Sequence, residues 1–239
     1  MQQHHVRALL MGGQACVFYG AAEFSRDTDL AILADAANLA RLRSALTELQ
    51  AEPIAVPPFD LKYLKRGFAL HFRCFHPDAM RMRVDLMSKM RGVDVFARLW
   101  RRRTTIELPN GSQCDLLSLP DLVRAKKTQR DKDWPMIRRL VECHYFDHQS
   151  RANVSQIRFW LKELRTPELL IESARRYPLI CQSMLASRPL LARAAAGDDT
   201  ELAQALAAEE SGEREADRKY WAPLMTALEI LRHARQTQP

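Results

Sequence analysis

No run of roughly eighteen apolar residues occurs anywhere in the chain, which excludes an ordinary membrane-spanning helix. No CxxC pair occurs either: Cys16, Cys74, Cys114, Cys143 and Cys181 are odd in number and widely scattered, so neither a disulfide framework nor a zinc knuckle is indicated. Met1-Gln2-Gln3-His4-His5-Val6-Arg7 lacks both a long apolar stretch and a small-residue cleavage site. Together these absences lead us to expect a cytoplasmic protein with reduced thiols and no membrane partner. No internal repeat or low-complexity tract stands out. What remains is a chain of 239 residues, 47% hydrophobic, long enough for a packed core in one good-sized domain or two small ones. Its 36 Lys and Arg against 29 Asp and Glu give a formal charge of +7, which favours polyanionic partners without requiring them.

The apolar pattern divides the chain in two. Val6 to Met11 reads as a strand ending at the turn Gly12-Gly13, with a short helix up to Tyr19, and Thr28 to Leu33 as a buried strand. Leu39, Leu42, Leu46 and Leu49 form one stripe of a helix from Ala36 to Leu49. Pro53, Pro57 and Pro58 break the pattern. Phe68 to Phe75 and Met82 to Met87 then read as strands joined by a turn at His76-Pro77-Asp78, followed by a helix over Val93 to Trp100. Asn110-Gly111 predicts a hairpin between Thr104 to Leu108 and Gln113 to Leu117. After Leu119-Pro120 convincing strands cease and helical stripes run almost to the end, which predicts helices over Pro120 to Arg130, Trp134 to His148, Ser155 to Leu164, Pro167 to Arg176, Ile180 to Ala186, Arg188 to Ala195, Thr200 to Glu209 and Glu213 to Ala234. The expected architecture is α/β, with a mixed-sheet core over residues 1–119 and an all-helical domain over 120–239.

Chemistry concentrates in the first half. Asp27 and Asp29 flank Thr28 at the start of a strand, and strand side chains alternate with period two, so the two carboxylates project from one face. Asp85 lies between Val84 and Leu86 in a second strand, where a lone buried carboxylate is costly. If the strands pair, three acids gather and repel one another unless a divalent cation neutralises them, which predicts Mg2+. The glycine pair ends a strand and opens a helix, so its N–H groups are placed to meet a phosphate.

Several other features weigh towards plain structure. A glycine pair by itself most often serves a turn, and an isolated Asp-x-Asp most often caps one. The basic run Arg98-Leu99-Trp100-Arg101-Arg102-Arg103, with Lys126, Lys127, Arg130 and Lys132 further on, suits either a solvated helix end or an RNA backbone with Trp100 as a stacking platform. His144 and His148, four apart beside Cys143, lack further ligands for zinc. His71 and His76 lie at or near the end of the strand preceding that of Asp85, where they are either within reach of an acceptor or, the more common reading, structural histidines. Met184 and Met225 read as core fillers within the leucine and alanine stripes.

Taken together, Gly12-Gly13-Gln14-Ala15, Tyr19-Gly20, Ser25-Arg26-Asp27-Thr28-Asp29-Leu30 and Arg83-Val84-Asp85-Leu86 resemble the nucleotidyltransferase fold shared with DNA polymerase beta, in particular the small bacterial branch that includes antibiotic nucleotidyltransferases and toxin-like members. The likeness covers about the first half and extends to the helix beginning Leu119-Pro120-Asp121-Leu122-Val123-Arg124-Ala125-Lys126-Lys127. It implies that Gly12 and Gly13 cradle a triphosphate, that Asp27, Asp29 and Asp85 are catalytic and bind one or two Mg2+ ions, and that Ser25, Arg26 and Lys126 contact the nucleotide. The implied reaction moves a nucleoside monophosphate from an NTP, such as ATP, to a hydroxyl on a small molecule, a protein or tRNA, releasing pyrophosphate. Glu23 departs from the arginine that many relatives carry at its place. The rival expectation is a silent nucleotide-binding or protein-interaction module, one half of a toxin–antitoxin pair.

Overall fold

The computed structural model describes residues 1–236 and has an α/β architecture. The chain forms two compact units, one made of Met1–Phe18, Ala22–Ala125 and the chain from Lys219 on, the other of Tyr19–Ala21 and Lys126–Arg218.

In the first unit a seven-stranded mixed sheet has the order β3-β4-β5-β2-β1-β7-β6. Its strands are β1 (Ala8–Met11), β2 (Asp27–Ile32), β3 (Glu52–Pro53), β4 (Leu70–Arg73), β5 (Arg83–Met87), β6 (Thr104–Glu107) and β7 (Gln113–Leu116). Both faces are apolar at the centre, where Leu9, Ala31 and Ile32 are buried alongside Leu70, Val84 and Leu86. Helix α1 (Gly12–Phe18) follows β1 directly. Helix α2 (Ala36–Glu48) starts at Asp35, whose carboxylate accepts the Asn38 N–H at 2.6 Å, a side-chain cap for an otherwise orphan donor. Buried Asn38 in turn accepts the Arg7 N–H (2.7 Å) and donates to the carbonyls of Arg7 (3.1 Å) and Leu33 (2.9 Å), so its amide is satisfied and ties α2 to the sheet.

The proline-broken stretch after α2 holds two elements that periodicity did not predict: the two-residue edge strand β3 and α3 (Leu61–Arg66), capped by Asp60 and ended by Gly67 at φ 98°. Both are too short to show a repeating pattern. The hairpin at Asn110-Gly111 forms as expected, with Asn110 Oδ1 accepting from the Ser112 N–H (3.1 Å) and hydroxyl (2.7 Å).

The expected break at residue 119 differs from the division observed. Helix α5 (Leu119–Ala125) groups with the sheet, and one reason is Asp121. Its carboxylate is 1% exposed and receives both Arg102 Nε (2.5 Å) and Nη2 (2.6 Å), plus the Ser118 hydroxyl (2.7 Å). Arg102 belongs to the C-terminal end of α4 (Phe96–Arg101), so a two-pronged ion pair fastens α5 to the strand-bearing unit.

The second unit contains α6 (Asp133–His148), α7 (Val154–Glu163), α8 (Pro167–Arg176), α9 (Pro178–Met184), α10 (Leu191–Ala196) and the first part of α11 (Asp199–Gln236). Asn153 and Gln156 form a reciprocal capping box at the start of α7. At its end, buried Arg188 donates to the carbonyls of Leu161 (2.8 Å) and Leu164 (3.1 Å) and pairs with Glu209 (2.9 Å). The two helices expected after residue 200 are one, because Gly212 and Pro223 do not interrupt the α-helical path. A single glycine costs a helix only about 1 kcal/mol against alanine.

Candidate active site

Ladder register brings the three acids of the first unit to one face. Strands β2 and β5 run parallel with Asp29 opposite Asp85 and Asp27 opposite Arg83, and antiparallel β4 adds His71 opposite Asp85. Antiparallel β1 puts Met11 opposite Asp29. A continuous row therefore reads His71, Asp85, Asp29, Met11, and two residues away on the same face stand Arg73, Arg83 and Asp27. The intervening positions, Phe72 and Val84, turn into the core. The alternation that suggested one face for Asp27 and Asp29 is present, and the pairing of the two acid-bearing strands is present with it.

Gly12 sits against the row. It has φ 66°, and a Cβ built there would lie 1.9 Å from Asp29 Oδ2. Only a residue without a side chain allows this approach of backbone to carboxylate, and the left-handed conformation independently favours glycine. Gly13 has a similar constraint: a Cβ would meet Ser25 Oγ at 2.5 Å. Ser25 donates to the Asp27 carbonyl (3.2 Å), fixing the entry into β2, and Thr28 donates to Gln14 Oε1 (3.2 Å), linking β2 to α1. Arg26 is exposed beside them.

Asp85 is the most constrained of the acids. Arg83 Nε lies 2.8 Å and His71 Nδ1 2.9 Å from its Oδ1, and Arg83 Nη2 lies 3.2 Å from His71 Nδ1. Burial acts to raise the Asp85 pKa, but the hydrogen bonds from His71 and Arg83 outweigh it and hold the group below the usual carboxylate range. The Arg83 pKa is raised, first by its bond to Asp85 and further by the charges of Asp27 and Asp29, so one guanidinium feels all three acids. Among the described residues no three acid, histidine or cysteine side chains stand together as a ready-made metal cage. Asp29 and Asp85 share a row and Asp27 shares their face, with the Asp85 carboxylate bonded to Arg83 and His71.

The roles of Arg83 and His71 escaped the sequence reading. Arg83, two residues before Asp85 in the same strand, shares its face by the alternation that aligns Asp27 with Asp29, a signal present in the sequence. The position of His71 depends on the β4–β5 register, which runs through a turn containing a 3-10 segment (Pro77–Ala79) that local pattern does not specify.

Lys126, expected at a triphosphate, belongs to the helical unit, where it is 8% exposed and paired with Asp133 at 3.1 Å. Burial would raise the Asp133 pKa, but Lys126 and then Thr128 and Arg130 lower it overall. Trp100, for which a stacking platform was the lesser of two readings, is packed within its own unit. Its ring lies beneath Arg7 (4.6 Å) and Arg103 (4.2 Å) and stacks on Phe96 with centroids 5.7 Å apart, while Arg103 also pairs with Asp115 (2.9 Å). Most of that basic run is thus engaged within its own unit. No helix among the described residues is long and apolar enough to cross a membrane. Set against known proteins, the chain matches no family model, and no curated protein shows significant similarity to it.

Proposed function

We propose that the row of acids is the active site of a nucleotidyltransferase, related in fold to DNA polymerase beta, that transfers a nucleoside monophosphate from an NTP to a hydroxyl acceptor with release of pyrophosphate. The observation that carries this reading is the parallel register of Asp29 with Asp85, with Asp27 on the same face and the Gly12 backbone drawn against Asp29. Three carboxylates suit a hard divalent cation that prefers oxygen ligands, so Asp27, Asp29 and Asp85 are the residues that would hold Mg2+. When bound, Mg2+ would neutralise charge on the triphosphate and lower the pKa of the acceptor hydroxyl.

The chain's own residues account for the rest. Gly12 and Gly13 let the backbone come close to phosphate oxygens, Ser25 keeps the loop before Asp27 in place, and exposed Arg26 adds positive charge beside the acids. Arg83 and His71 keep Asp85 ionised, the form in which it accepts bonds. In the reaction the acceptor oxygen bonds to the α-phosphorus, the bond from that phosphorus to the bridging oxygen breaks, the hydroxyl proton is released, and pyrophosphate leaves.

Incubation with each labelled NTP, Mg2+ and total RNA or cell lysate tests the reading. Labelled product and pyrophosphate are expected, and neither from Asp27→Ala or Asp29→Ala. Absence of product under all these conditions overturns it in favour of a silent nucleotide-binding or protein-interaction module. The specific observation behind that second reading is the Arg83 guanidinium, which neutralises Asp85 without any metal.

A further inference from the structure

The row of acids has two unlike flanks. On the β1 side it passes to Met11 and the Gly12 turn. On the β4 side it passes to basic groups: Arg83 on β5, with His71 and Arg73 on β4, where Arg73 stands opposite Arg83 and has Glu52 of the edge strand on its far side. Arg73 is exposed, and the Arg83 side chain is 38% exposed. A hydrogen bond to Asp85 holds the Arg83 guanidinium on this face, so it does not need to be ordered by an incoming ligand.

Two loops reach the same end of the sheet, because parallel β2 and β5 both begin there and antiparallel β4 ends there. The loop before β2 carries exposed Arg26 and Phe24, the latter 71% exposed. The turn between β4 and β5 carries exposed Arg81, Phe75 and Met80. At this end of the sheet, then, four arginines, with exposed Glu23 and Asp78 among them, are interleaved with exposed apolar side chains, a combination that can meet a phosphate next to a nucleobase. A cationic amino sugar, by contrast, would find no hydrogen-bond acceptor in the Arg73 and Arg83 guanidinium groups.

We propose that the acceptor bears a phosphate, and that Arg73 and Arg83 receive it on the β4 side of the acids. This rests on the nucleotidyltransferase reading, since it assigns the second substrate of that reaction. Guanidinium forks match phosphate oxygens two at a time, which a lysine does not reproduce. The same chemistry is available from the end of a single-stranded nucleic acid and from a free mononucleotide, and Phe24 distinguishes them by offering a second base a surface to stack on.

The test is equilibrium binding of the full chain, in EDTA and without NTP, to a labelled short single-stranded RNA, to AMP and to a cationic amino sugar. RNA or AMP should bind and the amino sugar should not. Arg73→Ala and Arg83→Lys should each weaken binding about tenfold, and Arg73→Ala should reduce the salt slope by about one. A preference for RNA that Phe24→Ala removes identifies a nucleic-acid end; equal binding of RNA and AMP identifies a mononucleotide. Binding unchanged in both arginine variants, absence of binding, or tighter binding of the amino sugar overturns the proposal. Because Arg73 is exposed, its variant should keep the wild-type urea midpoint, which separates lost binding from lost folding. Pyrophosphate release with NTP and Mg2+ is measured separately, so phosphate binding without turnover refutes the transfer reaction and leaves the ligand surface standing.

Discussion

At the scale of single residues the sharpest constraint is at Gly12, where conformation and space act together. Replacing it by alanine places a methyl group within a bond length or so of the Asp29 carboxylate and forces a side chain into the left-handed region, so Asp29 must move. We expect Gly12→Ala to lower stability by about 1–3 kcal/mol, read from urea unfolding. Glycine at residue 20 offers a control, since its φ of 73° is similar but nothing lies within 4 Å of a built Cβ. Gly20→Ala should therefore show the backbone cost without the clash. The residues themselves were legible: Gly12, Gly13, Asp27, Asp29 and Asp85 could be picked out from their spacing, because alternation along a strand is a local property. The partners of Asp85 were not, because His71 reaches it only through a register set by a nine-residue connection.

At the scale of elements, the α6–α7 pair holds a titrating group whose effect has a definite sign. His144 on α6 accepts the Trp160 indole N–H at Nδ1 (2.8 Å) and stacks on His148 with ring centroids 4.3 Å apart. Burial, then the neighbouring His148, lowers its pKa from 6.5 to about 4. The unfolded chain therefore takes up this proton first on acidification. The stability gained from a neutral His144 is complete above about pH 6.5 and declines as pH falls towards 4, by at most about 3 kcal/mol and by less for a ring only partly buried. Urea midpoints measured from pH 7.5 down to 4 should fall more steeply for wild type than for His144→Gln. Parallel slopes would refute this assignment. Sequence periodicity located both helices to within a residue or two, yet read His144 as a plain helix face. The Trp160 contact that buries it joins separate helices and has no local signature.

At the scale of the molecule, buried ion pairs occur in both units. In the strand-bearing unit the grip of Arg102 on Asp121 retains α5, which the change of texture at Pro120 had assigned to the helical half. Strand texture reports local periodicity, whereas unit membership depends on which side chains meet after folding. Removing Arg102 would leave a carboxylate that is 1% exposed without its main partner, so Arg102→Ala should cost about 3–5 kcal/mol in thermal or urea unfolding. The double variant Arg102→Met with Asp121→Leu should recover much of that loss, because the penalty comes from an unpaired buried charge and not from missing attraction.

The parallel pairing of β2 with β5 also has a kinetic side. Asp29 and Asp85 become neighbours only after the chain from Leu33 to Met82 has looped over and closed, a long-range event that taxes chain entropy before any ladder bond rewards it. If the acids hold a divalent cation as proposed, binding of Mn2+ as a probe should recover late during refolding, after the helical circular-dichroism signal. The acid row can then serve as a clock for completion of the sheet.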